Sequence, residues 1–598
     1  MAGGTLARLL SSSSAAAAAA PASRRLLASA AAAGARLATP TPSTGPAGAA
    51  ATSPPRKGGV VGAIRSALGD AASPLPPGYK VDEQFLHEVR FWASSLLSLL
   101  WFCFWAGGLA AVCFDAALPV VATSCRLQMS DWCVRFLSCL CCTRPPWLSR
   151  PSPAPFFYPQ TPTHVTTLSN GLRVATERHP VGAATVGVWV DAGSRFETED
   201  TNGAAHFLEH LVFKGSAAMS QRALETTVEN MGANFNAYTS REQTAYFGRA
   251  VTAHVPELTN ILADILLNSE MSPASVERER DVILREYAEV NKLPEEELFD
   301  NLHATAFQGT PLAQTILGSE DCIRSLQRPD LRAYVKRHYQ PHRMVLVGAG
   351  DVDHDTFVTQ ADKLFGGMRS DPDAESAAQL VAARPCFLTG SDMRVRDDYA
   401  ADAHFVIAVE SCGWAHADAV AFMVLESLLG GWERYATTGD VVSSRLANGL
   451  HATPSAKRVG AFNTSYADTG LFGLSAVAAP HDLDDVVSVM MGELVRLHTA
   501  VDGGALAAAK AALKTRMMAA ADGSTAAAEE TARQLLVYGR KVPLAEWVAR
   551  IDAVDAAAIK RLVGKYVWDR EVAVSALGNV SQLPDLTWIR RRTFSTLY

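Results

Sequence analysis

The sequence predicts an α+β protein of two structurally similar halves, each a mainly antiparallel sheet covered by helices, behind an N-terminal leader and linker. Three observations predict it. Strand-like and helix-like periodicities alternate from residue 163 onward. The order of elements in the first half recurs in the second at a spacing of roughly 220 residues, far above solenoid repeat lengths. The chain has 598 residues, 48% hydrophobic and 19% charged, which is too long for one core and apolar enough for several.

The leader is set apart by charge. Residues 1–69 contain no Asp or Glu but carry Arg8, Arg24, Arg25, Arg36, Arg56, Lys57 and Arg65 among Ala, Ser and Leu. An Arg-bearing, Ser-rich, acid-free N-terminus reads as an organelle transit peptide, and mitochondrial import is the favoured address. Residues 70–162 read as linker plus an atypical hydrophobic, Cys-rich insert. Within it, residues 91–114 run without a charge, and three readings compete: a membrane anchor, a buried hairpin, or sequence foreign to the functional protein. Seven of the ten cysteines (Cys103, Cys113, Cys125, Cys133, Cys139, Cys141 and Cys142) lie within residues 70–162. The rest of the chain has no CxxC spacing, so neither a disulfide framework nor a cysteine metal site is expected there.

From 163 to 370 the elements follow in order. A hairpin spans 165–177 around Ser169-Asn170-Gly171, and a near-continuous apolar strand follows at 184–191. Residues 204–215 and 223–231 have helical spacing, then two strands (235–238, 244–249), then helices over 257–267, 275–290 and 296–306. A strand at 344–348 closes the unit. A linker is expected over 371–395. The second half, 396–593, repeats the scheme with strands at 404–410, 460–466 and 471–478. Its helices are expected at 417–429, 483–497, 503–519 and 524–538.

Chemistry concentrates in His206-Phe207-Leu208-Glu209-His210. Two His four apart lie one helical turn apart on one face and can bind one Zn²⁺, leaving room for a third protein ligand and water. Glu209 projects to the same side and can take a proton from the activated water. The order H-x-x-E-H inverts the commoner H-E-x-x-H and is a peptidase signature. The third ligand is expected on 275–290, which carries Glu277, Glu279, Glu286 and Glu289. Glu279 and Glu286 share one face, and spacing alone does not choose between them. A purely structural zinc site lacks the fourth protein ligand such sites need. The formal net charge of −7 argues against general nucleic-acid binding.

HFLEHLVFKG, FNAYTSREQTAYF and ERERDVILREYAEV together resemble the pitrilysin-type zinc peptidases, and within them the mitochondrial processing peptidases. That branch is similar to a core subunit of the respiratory ubiquinol–cytochrome c reductase. The resemblance covers about residues 163–593. It implies Glu286 as the third metal ligand and Glu279 as its supporting glutamate. It implies that Asn236, Ala237 and Tyr238 form an edge strand that pairs with an extended substrate, and that Tyr466 faces the site. It also implies an α-type partner subunit, basic presequence peptides as substrates, and a second half that is a degenerate copy of the first. No match to the partner's glycine-rich substrate loop occurs here. An acidic surface for basic substrates is expected near Glu295, Glu296, Glu297 and Asp300, a run that also fits a solvated helix end. The rival function is a non-catalytic core subunit of the respiratory complex, or both roles in one chain.

Overall fold

The computed structural model describes residues 162–594 apart from 180–181, 372–373 and 436–443, so the leader, the apolar run 91–114 and the cysteine cluster lie outside the described residues. Two six-stranded mixed sheets organise the rest. The first contains β1 (Thr163–Thr167), β2 (Arg173–Arg178), β3 (Ala183–Val190), β4 (Asn234–Thr239), β5 (Thr244–Val251) and β6 (Met344–Gly350). The second contains β7 (Ser391–Arg396), β8 (Ala403–Cys412), β9 (Gly431–Glu433), β10 (Ala456–Ser465), β11 (Thr469–Ala478) and β12 (Ala573–Gly578). Their orders are β1-β2-β6-β3-β5-β4 and β7-β12-β8-β11-β10-β9. Each sheet has one parallel pair, β2 with β6 and β7 with β12, and is otherwise antiparallel.

The helices of the first half are α1 (Ala204–Leu211), α2 (Gln221–Asn230), α3 (Val255–Leu267), α4 (Pro273–Val290) and α5 (Pro294–Ala306). They continue with α6 (Glu320–Ser325), α7 (Arg328–His338) and α8 (His354–Phe365). The expected linker holds α9 (Ala377–Ala383), opened by a capping box at Ser376. The second half has α10 (Ala419–Leu429), α11 (Arg445–His451), α12 (Leu483–Arg496), α13 (Gly503–Ala520) and α14 (Ser524–Tyr538). It ends with α15 (Leu544–Ala553), α16 (Ala556–Tyr566) and α17 (Leu586–Arg592). No helix among the described residues is long and apolar enough to cross a membrane.

Period-two alternation divides the first sheet between two cores. Val174, Val186, Val188, Tyr246 and Leu346 face α1 and α3, whose Phe207, Leu208, Leu258, Ile261 and Leu262 fill the space above them. Ala175, Trp189, Ala245, Val345 and Val347 face the opposite way, against Ala528, Ala532 and Leu535 of α14. That helix belongs to the second half by sequence. The exchange is mutual, because α5 of the first half lays Leu298, Leu302 and Ala306 on Val406, Ala408, Leu471 and Ala573 of the second sheet.

Polar groups fix the seam between the halves. Buried Arg195 makes a bidentate contact with Asp468 (2.7 and 2.6 Å) and reaches Glu242 at 2.7 Å. The backbone N–H groups of Cys386 and Ala467 donate to the same two carboxylates. A paired, hydrogen-bonded buried charge of this kind escapes the penalty of an isolated one.

Candidate metal centre

α1 enters its first turn through Gly203, whose φ of 95° is open to glycine and costly for other residues. A Cβ at this position would also collide with the Leu317 carbonyl. The helix buries Ala204, Ala205, His206, Phe207, Leu208 and Leu211 and leaves Glu209 and His210 half-buried. α4 starts cleanly because Ser272 Oγ accepts from Ser275 N and proline occupies the first turn. Arg280 then anchors it, donating to the carbonyls of Ile323 and Leu326 and lying 5.8 Å over the Phe207 ring. The seven-residue interval puts Glu279 and Glu286 on the face of α4 that meets α1.

Two imidazoles and one carboxylate converge there. His206 Nε2 lies 3.9 Å from Glu286 Oε1, and His210 Nε2 lies 3.1 Å from Glu286 Oε2. One donor atom from each of His206, His210 and Glu286 lies within 4.8 Å of the others. Ligand atoms about 2.0–2.1 Å from a tetrahedral zinc stand about 3.3 Å apart, so this donor set fits the ion with small adjustments. Three protein ligands leave a position open, as catalytic zinc sites do.

Glu279 occupies a different place. Its Oε2 is 3.5 Å from His210 Nδ1, on the far side of the ring, while its Oε1 is 3.1 Å from Lys214 Nζ. Burial pushes Glu279 up, but His210 and Lys214 outweigh it and hold the carboxyl below its ordinary range. An anionic partner behind a ligating imidazole orients the ring and raises its basicity. Burial likewise pulls His210 down, yet Glu279, Glu286 and Glu209 push it up to about 9. Metal binding must therefore displace protons. Lys214, one turn beyond His210, lies outside the residues that the sequence pattern singles out.

Glu209 is close enough to His210 for its charge to raise that imidazole, and it also raises the buried phenols of Tyr246 and Tyr339. Those phenols bond each other at 2.8 Å.

β4 pairs with β5 and, among the described residues, is the edge of its sheet. Its side chains are already engaged. Ala237 is buried in the core beneath α1, and Asn236 Oδ1 accepts from the N–H of Ala237 at 3.0 Å. Tyr238 turns to the α14 side, with its hydroxyl donating to Glu529 at 3.4 Å. What β4 presents outward is its backbone. Tyr466 is buried at the seam, where its hydroxyl bonds His303 Nε2 at 2.7 Å and the other ring nitrogen bonds the Phe299 carbonyl at 2.6 Å. It is not one of the residues brought together at the metal group. Of the acidic run, Glu295 pairs with Arg458 and Asp300 with Arg241 at 2.8 Å, so at least two of its charges are neutralised in place.

An HxxEH helix faced by a glutamate from a second helix, on a two-sheet α+β scaffold, defines a zinc metallopeptidase. Residues 173–320 match the insulinase group, Peptidase family M16, and residues 325–513 match the inactive domain of that family; the chain belongs to it. It is 47% identical over 437 residues to the probable mitochondrial-processing peptidase subunit beta of Arabidopsis thaliana, covering 73% of this chain and 82% of that protein. Identity to the mitochondrial-processing peptidase subunit beta of Bos taurus is 47% over 433 residues, 71% of this chain and 86% of that one. The human subunit beta is 46% identical over 434 residues, 72% and 87% of the two chains. Among solved structures, a chain of "Complex III2 from Candida albicans, Inz-5 bound" superposes with a TM-score of 0.65 at 24% identity, covering 72% of this chain and all of that one. That likeness shows a common fold.

Proposed function

We propose that this chain is the metal-bearing subunit of a mitochondrial endopeptidase that removes presequences from imported precursor proteins, working beside an α-type partner. The observation that carries the reading is the convergence of His206, His210 and Glu286 within 4.8 Å, with Glu209 on the same helix. The relatives named above supply the process and the compartment. In this reading His206, His210 and Glu286 hold one Zn²⁺ and Glu279 steadies His210. The ion, when bound, supplies Lewis acidity that makes water nucleophilic near neutral pH. Glu209 accepts the proton that water gives up and returns it to the leaving amine. The open edge of β4 takes the substrate as an added strand, main chain to main chain.

A second reading makes the chain a core subunit of a respiratory ubiquinol–cytochrome c reductase, alone or alongside proteolysis. The shared fold with the Complex III2 chain favours it. A pure scaffold, however, has no use for two Nε2 atoms and a carboxylate gathered within 4.8 Å. The test is cleavage of a basic presequence peptide by the chain co-expressed with an α-type subunit, wild type against Glu209→Gln. Cleavage by wild type and none by the zinc-loaded variant supports the enzyme. Equal activity in both refutes the mechanism, and no wild-type activity favours the scaffold.

A further inference from the structure

The metal-bearing helix is short, and its own N-cap cannot close it. Gly203 has no side chain, and no residue of the first turn is acidic. Helices such as α2, α4 and α13 are closed by a side chain at the N-cap itself, from Ser220, Ser272 and Asp502. At α1 the cap comes from Glu197. Its Oε2 accepts from Gly203 N at 2.8 Å and from Asn202 Nδ2 at 2.9 Å, and its Oε1 accepts from Ala205 N at 2.8 Å. Glu197 is 1% exposed. Burial pushes Glu197 up to about 7, and the donors at Ala205, Gly203 and Asn202, at the positive end of the helix, offset only part of that cost.

The cap is itself held from three directions. Asn202 Nδ2 also donates to the Thr315 carbonyl at 2.9 Å, and Arg384 donates to the Glu197 carbonyl at 3.2 Å. Gly318 packs against the Asn202 carbonyl so closely that a Cβ would not fit. α10, which occupies the same place in the second half, has no side-chain cap, and Asp418 at its N-cap accepts from Lys565 and Tyr566 instead. The device is therefore found in the half that carries the ligands.

We infer that Glu197 is a positioning residue for the metal centre: by fixing the first turn of α1 along its axis, it sets where His206 stands relative to Glu286. Metal constellations tolerate displacements of only about 0.5 Å, and His206 directly follows Ala205, whose N–H is capped, within that first turn. The inference rests on the proposed roles of His206, His210 and Glu286 as ligands. Glu197→Gln keeps the shape but turns an accepting oxygen into an NH₂ group facing a donor. Zinc affinity should fall about 10–100-fold, the range for residues that support metal ligands.

The measurement is competition with a chromophoric chelator, using the full chain with its α-type partner. It is paired with Tm of the zinc-free and zinc-loaded forms. A merely structural cap lowers both Tm values equally, whereas a positioning role also shrinks the stabilisation that zinc adds. Asn202→Ala, which removes one of the three donors and leaves the carboxylate, should give a smaller loss of affinity in the same direction. Wild-type zinc affinity in Glu197→Gln, or in Asn202→Ala should the first variant not fold, overturns the inference. A wild-type chain that takes up no zinc overturns the ligand roles, and this inference with them.

Discussion

The two halves run through the same elements in the same order, yet only one gathers metal ligands among its described residues. β2-β3-α1-α2-β4-β5-α3-α4-α5 in the first corresponds to β7-β8-α10-α11-β10-β11-α12-α13-α14 in the second, and β6 corresponds to β12. Glu286 is the fourteenth residue of α4, and the fourteenth residue of α13 is Arg516. Across from it on α10 stands Glu426, 3.6 Å from the guanidinium. An ion pair thus spans the helices where the first half has His210 and Glu286. Burial pushes Glu426 up to about 7 although Arg516 pulls it down.

The sheets differ too. Among the described residues, the first half adds β1 beside β2 and leaves β4 open, whereas the second adds β9 beside β10 and closes the equivalent edge. On the function proposed above, a few polar side chains and the placement of a single extra strand separate a catalytic half from a silent one.

The largest expected difference between the halves lies in the proposed base, Glu209. Glu209→Gln should lower kcat by about 10²–10⁴-fold with zinc retained. Glu426→Gln should leave peptide cleavage unchanged, and a comparable loss there would break the contrast.

Metal content is the next measure. Glu286→Ala should emerge from a chelator wash without zinc. Glu279→Gln should bind about 10–100-fold more weakly, and Arg516→Met like wild type, all read by elemental analysis.

The open edge gives a smaller effect. A substrate peptide N-methylated where it would pair with β4 loses one main-chain bond worth about 1 kcal/mol, or about fivefold in kcat/KM. An unchanged value would show that β4 is not the docking edge.

Smallest is the ion pair of the silent half. The pKa of Glu426 is raised in the fold, so the folded state holds more protons than the unfolded one between its ordinary range and about 7. Stability from this group falls as pH rises through that window. Arg516→Met pushes the carboxyl further up, so the variant's deficit should be near zero at pH 5 and grow to about 1 kcal/mol by pH 8. A deficit in Tm that is equal at both pH values would uncouple the pair.

Much of the fold and part of the site were legible in the sequence. The periodicities at 184–191, 257–267 and 524–538 correspond to β3, α3 and α14 because each is long or strongly apolar. β7 was not legible, since it offers only Met393 and Val395 between Asp392, Arg394 and Arg396, a run too short and too charged to stand out, and both apolar side chains are exposed. Nor was α9, whose seven residues are too few to show a helical period. His206 and His210 stood out because their partnership is local. Glu279 and Glu286 could not be told apart by spacing because they share a face; only the docking of α4 on α1 puts one against both Nε2 atoms and the other behind His210. Tyr238 and Tyr466 are tied to Glu529 and His303, contacts that cross the seam and leave no mark in the local sequence.

The traded helices α5 and α14 make the halves hostages to each other during synthesis. The apolar underside of the first sheet, with Trp189, Val345 and Val347, stays bare until residues 524–538 have emerged to cover it. A chain delivered N-terminus first, from a ribosome or through a translocation pore, therefore carries a sticky, unfinished layer for most of its length. Such non-local closure slows folding and exposes the chain to aggregation. For the same reason, a cut between the halves of the folded protein should release neither of them, because each keeps a helix that the other has already buried.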